Sequence, residues 1–241
     1  MFGVRFKAGC VYDPARTEDK DMSDVAANLA AIRRELSALT AAPPAIIAVS
    51  KTKPVESVRA ALAAGQRIFG ENRVQEAIAK FGPLRGEVPD LELHLIGPLQ
   101  TNKVKDAVQA FDIIETLDRP KLAEALSDAL AKSPGRLRHV LIEINTGEEA
   151  QKAGVLPGDA DDFIRDCLQR LGLPVAGLMC IPPVDDEPSL HFALLREIAR
   201  RHALPMLSMG MSGDYAIAAR LGATHVRLGT AIFGARGISA G

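Results

Sequence analysis

The chain has 241 residues, a formal net charge of −1, 47% hydrophobic residues and three cysteines. That length holds one large domain or two small ones with a full core, and the balanced charge gives no electrostatic reason to bind nucleic acid or an anionic membrane. No apolar run reaches the roughly 18 residues of a membrane span, and Cys10, Cys167 and Cys180 form no CxxC pair, which points to a reducing, cytoplasmic setting.

Residues 1–21 mix apolar and charged side chains without the apolar core of a signal peptide and read as a flexible leader, with Met22 as an alternative start; the folded domain is expected over 22–241. Ser23 is a candidate N-cap for a helix through Ala38, with Ala26, Leu29, Ile32 and Leu36 at helical spacing, and Pro43-Pro44 stops it. Strands are then expected over 46–50, 67–70, 91–96, 112–115, 138–145, 175–179, 205–208 and 225–227. Helices are expected over 55–64, 74–81, 102–110, 120–131, 160–171, 190–201 and 213–221, with a last one near Ala231. Gly65 is a natural C-cap residue for the first of these, and Asp118 is a cap candidate for the helix at 120–131. Eight strands, each followed by a helix, predict a single-domain α/β fold, a (β/α)₈ barrel. The rival is a doubly wound open sheet, whose dinucleotide-binding version is weakened because no GxGxxG follows the first strand.

In such a barrel the chemistry sits at the C-terminal ends of the strands. The apolar run 45–49 leads straight into Ser50-Lys51-Thr52-Lys53-Pro54. A lysine held there between low-dielectric walls can act as a Schiff-base nucleophile; the alternative is a solvated loop after a strand. On an extended segment Lys51 and Lys53 would point to the same side. The second strand ends in Glu71 and Asn72, and the fourth in Glu115 and Thr116. The last two strands run into Ser208-Met209-Gly210-Met211-Ser212-Gly213 and Arg227-Leu228-Gly229-Thr230. Small residues opening helices let backbone N–H groups approach an anion, and the loops after strands seven and eight are the usual phosphate site of this fold. Turns and caps are the plainer account of the same glycines and serines. The five histidines show no metal-ligand spacing.

Six segments in order resemble one family: Ala48-Val-Ser-Lys-Thr-Lys-Pro54, Phe69-Gly-Glu-Asn72, His94-Leu-Ile-Gly-Pro-Leu-Gln-Thr-Asn-Lys103, Gly177-Leu-Met179, Met209-Gly-Met-Ser212 and Val226-Arg-Leu-Gly-Thr-Ala-Ile-Phe-Gly-Ala-Arg236. They look like the YggS/PROSC family of pyridoxal 5′-phosphate (PLP) homeostasis proteins, over residues 24–236. The resemblance implies a single-domain TIM barrel of the alanine-racemase N-terminal-domain type. It implies PLP held as an internal aldimine on Lys51. The phosphate would lie against Ser212, Gly229 and Thr230, with Ser208 and Met211 close by. Glu71 and Asn72 are read either as lining the cofactor or as carrying the loop's own hydrogen bonds. The pyridine nitrogen would face Arg227. The family departs here at Arg73, where many members carry an aromatic residue, which puts any stacking role at that position in doubt.

The implied function is to bind, buffer and deliver PLP in the cytoplasm, with PLP-dependent apoenzymes as candidate recipients, rather than to turn over a substrate. Arg227 has no site at which to accept a proton from the ring and would weaken the electron sink, and a chain ending at Gly241 leaves no expected second domain to supply another base. A racemase-like PLP enzyme and a phosphosugar barrel enzyme using Lys51 are the other readings. A monomer is the default in the absence of a coiled-coil seam. Cys180 is read as either a thiol beside the aldehyde or a packed small side chain, and Lys53 as either a second acceptor or a salt-bridged lysine.

Overall fold

The structure is a computed structural model that describes the backbone of residues 14–234 and the side chains of residues 24–234. The elements in chain order are α1 (Pro14–Leu39), β1 (Ala45–Val49), α2 (Val55–Ala63), β2 (Ile68–Glu71), α3 (Val74–Glu87), β3 (Glu92–Leu95), α4 (Val104–Ala110), β4 (Ile113–Leu117), α5 (Pro120–Lys132), β5 (His139–Ile144), α6 (Ala160–Arg165), β6 (Val175–Cys180), α7 (Pro188–Arg201), β7 (Met206–Ser208), α8 (Tyr215–Arg220), β8 (His225–Leu228) and α9 (Thr230–Phe233). The eight strands close into one parallel barrel in sequence order, β8 pairing back onto β1 through Ala45↔His225 to Ala48↔Leu228. The expected (β/α)₈ architecture is therefore the one observed.

Alternation along the strands sorts side chains into two sets. Ile114, Ile142, Leu178 and Val226 join the large core between sheet and helices. Their neighbours Ile113, Leu141 and Met179 form a small separate apolar cluster inside the barrel. α1 covers the outside of the β8–β1 closure: Leu29, Ile32 and Leu36 are buried, Asn28 Nδ2 donates to the Ile232 carbonyl at 3.0 Å, and the Tyr215 hydroxyl donates to Glu35 at 2.6 Å.

Several local expectations are corrected. Ser23 lies within α1 and does not cap it, because the helix begins at Pro14 and takes in residues 14–21 of the expected leader; residues 1–13 lie outside the described residues. Asp118 does not cap α5: Arg119 holds the N-cap position, and Pro120 supplies a preset first turn without a side-chain cap. α3 runs six residues past the expected end at Phe81, carrying Pro83 within it and burying Leu84. The helix expected over 102–110 starts as a 3₁₀ turn, Thr101–Lys103, and that expected over 160–171 loosens into a π-helical turn at Asp166–Arg170. In α3 the extension is a case where tertiary packing, the burial of Leu84, outweighs local propensity.

Gly177 in β6 has no room for a side chain: an added Cβ would lie 2.1 Å from the Met206 carbonyl oxygen on β7. The obstacle is backbone and cannot swing away. Gly177→Ala is expected to cost about 3 kcal/mol and to lower the thermal midpoint, a loss read directly by urea denaturation against the wild type.

Candidate functional site

Lys51 sits in the turn that leaves β1, and it is exposed. Lys53 N–H donates to the Ser50 carbonyl at 3.0 Å, closing the turn. Thr52 takes φ +63° inside it, a conformation that a β-branched residue adopts only under constraint. The constraint is visible: the Thr52 N–H donates to Glu76 at 2.9 Å. Lys80 Nζ, on α3, donates to the same Glu76 oxygen at 3.1 Å, to Glu71 at 2.8 Å and to the Ser50 carbonyl at 2.8 Å. Ser50 Oγ donates to Glu71 at 2.8 Å. Burial pushes the Glu71 carboxyl up against the opposing pull of Lys80, and its Oε2 is buried without a hydrogen-bond partner among the described residues. The turn therefore breaks the extended geometry expected for 50–54. Lys53 donates to the carbonyls of Phe233 at 3.0 Å and Gly234 at 3.3 Å, at the C-terminal end of α9.

All eight site residues expected from the sequence fall at the C-terminal ends of four contiguous strands, β7, β8, β1 and β2. Asn72 follows β2, and its backbone packs so closely under Gly97 that a Cβ there would lie 2.5 Å from the Asn72 carbonyl oxygen. Met211 is 39% exposed, and its N–H donates to Asp214 at 2.5 Å. Gly210 takes φ +92°, with Ala218 2.6 Å from where its Cβ would lie. Ser212 Oγ accepts from Ala231 N–H at 3.3 Å, tying the β7 loop to α9. The N–H groups of Ser212, Gly213, Gly229 and Thr230 make no hydrogen bond to a described residue, so two adjacent loops present unpaired donors. Cys180 is packed in the core, burial pushes its thiol up to about 12, and the plain packing account of it is the one supported.

Arg227 is buried beneath these loops. Its Nη1 donates to the Ser208 carbonyl and to Ser208 Oγ, both at 2.8 Å, and its Nη2 to the Cys180 carbonyl at 2.7 Å. Ser208 Oγ in turn donates to Glu115 at 2.6 Å. Glu115 lies 2.6 Å from His94 Nδ1, and Glu92 lies 2.7 Å from His94 Nε2. Glu92 also pairs with Arg138. Sequence reading missed this chain. The signal available was the period-two alternation that aligns Glu92 with His94, Ile113 with Glu115 and His225 with Arg227.

Both ring nitrogens of His94 face carboxylate oxygens, which only accept, so the imidazole must donate twice and is an imidazolium. Burial opposes that charge, yet Glu115 and Glu92 outweigh it and hold His94 up at about 9. The His94 contact, against the cost of burial, brings Glu92 down to about 2. Burial disfavours the Glu115 carboxylate too, but His94, Arg227 and Ser208 keep it below the ordinary range. His225, with its ring centroid 5.8 Å from that of His94, is pushed down by burial and then by the neighbouring cation.

The description "Alanine racemase, N-terminal domain" matches residues 21–237 of this chain. Alanine racemase from Corynebacterium glutamicum shares the fold, with a TM-score of 0.64 at 20% identity over 91% of this chain and 63% of that one. Fold and site thus define an alanine-racemase-type barrel with a lysine at the end of its first strand. Curated relatives narrow the class. The pyridoxal phosphate homeostasis protein of Vibrio alginolyticus is 43% identical over 207 residues, covering 80% of this chain and 87% of that protein. That of Escherichia coli (strain K12) is 39% identical over 235 residues, covering 90% and 99%. PipY of Synechococcus elongatus PCC7942, solved with PLP bound, has a TM-score of 0.74 and 38% identity over 87% of this chain and 100% of that one. The chain belongs to the pyridoxal phosphate homeostasis protein family.

Two predictions follow the geometry. His94 has a folded value near 9 against an ordinary 6.5, so its contribution is full below pH 6.5 and is lost as pH rises through 9. The melting-temperature gap between wild type and His94→Gln should shrink over that interval, and a gap constant with pH would show His94 to be neutral. Lys80→Met leaves Glu71 buried and uncompensated; a loss of about 3 kcal/mol is expected in chemical denaturation, with Glu71→Gln in the same background restoring part of it.

Proposed function

We propose that this chain binds PLP through Lys51 in the cytoplasm and serves as a monomeric reservoir that hands the cofactor to amines and PLP-dependent apoenzymes, without substantial turnover of its own. The observation that carries this reading is the placement of Lys51 at the end of β1, beside β8, which carries Arg227 and one donor loop and pairs in turn with β7, which carries the other, in a chain 38% identical to a protein solved with PLP bound. The donor set fits the cofactor. Ser212, Gly229 and Thr230 supply hydroxyls and unpaired N–H groups for a phosphate, Met211 and Asn72 stand at the rim, and Ser208 holds Arg227 from below.

Bound PLP supplies an aldehyde that condenses reversibly with primary amines and a ring that draws electrons best when its nitrogen is protonated. Lys51 provides the amine on a turn locked by Glu76 and Lys80. Arg227 offers donors only, and its two terminal nitrogens are already committed to Ser208 and Cys180; this favours holding the cofactor over carbanion chemistry. Lys53, directed to the C-terminal carbonyls of α9, steadies the helix behind the phosphate loop.

Purified protein incubated with PLP is expected to show a visible absorption band that Lys51→Ala abolishes while leaving the far-ultraviolet circular dichroism unchanged. A wild type that stays colourless after that incubation would overturn the reading.

A further inference from the structure

Glu143, on the inner barrel wall, is an ionisable group with no role in the proposed site. It pairs with Met179 across β5 and β6, Met179 with Ser208, and Ser208 with His225, so the four lie in one register row. Leu141, two residues before it, belongs to the inner apolar cluster, so Glu143 faces inward one layer nearer the C-terminal mouth. In the closed order β1 to β8, β5 stands across the barrel from β1 and Lys51. The residue is 8% exposed. Its carboxyl makes no hydrogen bond and no ion pair with a described residue, in contrast to the fully partnered Glu115. Neither of its oxygens is among the buried, unpartnered side-chain atoms, so the carboxyl keeps an edge open to solvent, and on an inward-facing side chain at this level that edge opens into the mouth.

We infer that Glu143 is a ligand-facing acid, a neutral hydrogen-bond donor to the anionic phosphate-bearing aromatic molecule held on Lys51, whose ionisation weakens retention of that molecule. This rests on the PLP reading given above. The surrounding charges favour the neutral form. Glu115 of β4 and Asp118 just after it are acidic, Met179 of β6 brings no charge, and Arg227 of β8 is the opposing cation. Burial foremost, then Asp118, pushes Glu143 up to about 7. Ionised, it would turn a negative charge toward an anionic ligand.

The test measures PLP affinity by absorbance for wild type and Glu143→Gln between pH 6 and 8.5. A site near 7 that admits ligand only when neutral predicts near-equal affinities at pH 6 and an advantage of about tenfold or more for Glu143→Gln at pH 8.5. An affinity ratio flat across that range overturns the inference while leaving PLP binding intact; a wild type that binds no PLP at any pH overturns the PLP reading itself. A second readout does not need the glutamine variant to fold. Carboxyl ¹³C resonances of the ligand-free wild type, assigned with Glu143→Asp, should show a midpoint near 7 that PLP moves upward, and a midpoint that PLP leaves in place overturns the inference.

Discussion

Burying Arg227 inside the barrel is the constraint on which the site turns. A guanidinium cannot shed its charge to suit an apolar interior, so counter-charge must be brought in. Glu115 supplies it through Ser208, but a carboxylate buried in the barrel needs further support, and His94 provides that as an imidazolium. Glu92 then balances His94 and reaches Arg138 at the N-terminal rim, where solvent takes over. Charge alternates along the whole path, so removing any one member strands its neighbours. Beside this path the interior holds the apolar cluster of Ile113, Leu141 and Met179.

A second network, outside the barrel wall, does for Lys51 what the first does for Arg227. Glu71, Lys80 and Glu76 hold the Ser50–Lys53 turn by its backbone, not by the Lys51 side chain. The amine is thus left exposed while its attachment is rigid. The two networks act on adjacent strands and share no residue, so the lysine turn and the arginine can be perturbed separately. That separation fits the proposed reservoir role, in which a cofactor is both captured and released.

Much of the architecture was legible in the chain. The alternation of apolar strand runs with amphipathic helices is a local signal, and eight such units leave few ways to close a parallel sheet. The placement of Lys51, Ser212, Gly229 and Thr230 at strand ends followed from the same rhythm. One error arose where packing decides: α3 continues past Phe81 because Leu84 has a core to enter. Another was local: α1 extends ahead of Ser23, although a serine there reads as a cap.

By itself, the sequence determined the barrel, the strand-end lysine and the resemblance to PLP homeostasis proteins, because periodicity and short motifs are properties of neighbouring residues. Only the tertiary structure decided what partners the charges. His94 and Glu115 are 21 residues apart and Ser208 and Glu115 are 93 apart, and only closure of the barrel makes them touch. The same closure brought Lys53 to the carbonyls that end α9 and left the Glu143 carboxyl without a partner among the described residues, since whether a charge is paired depends on strands that the chain reaches last.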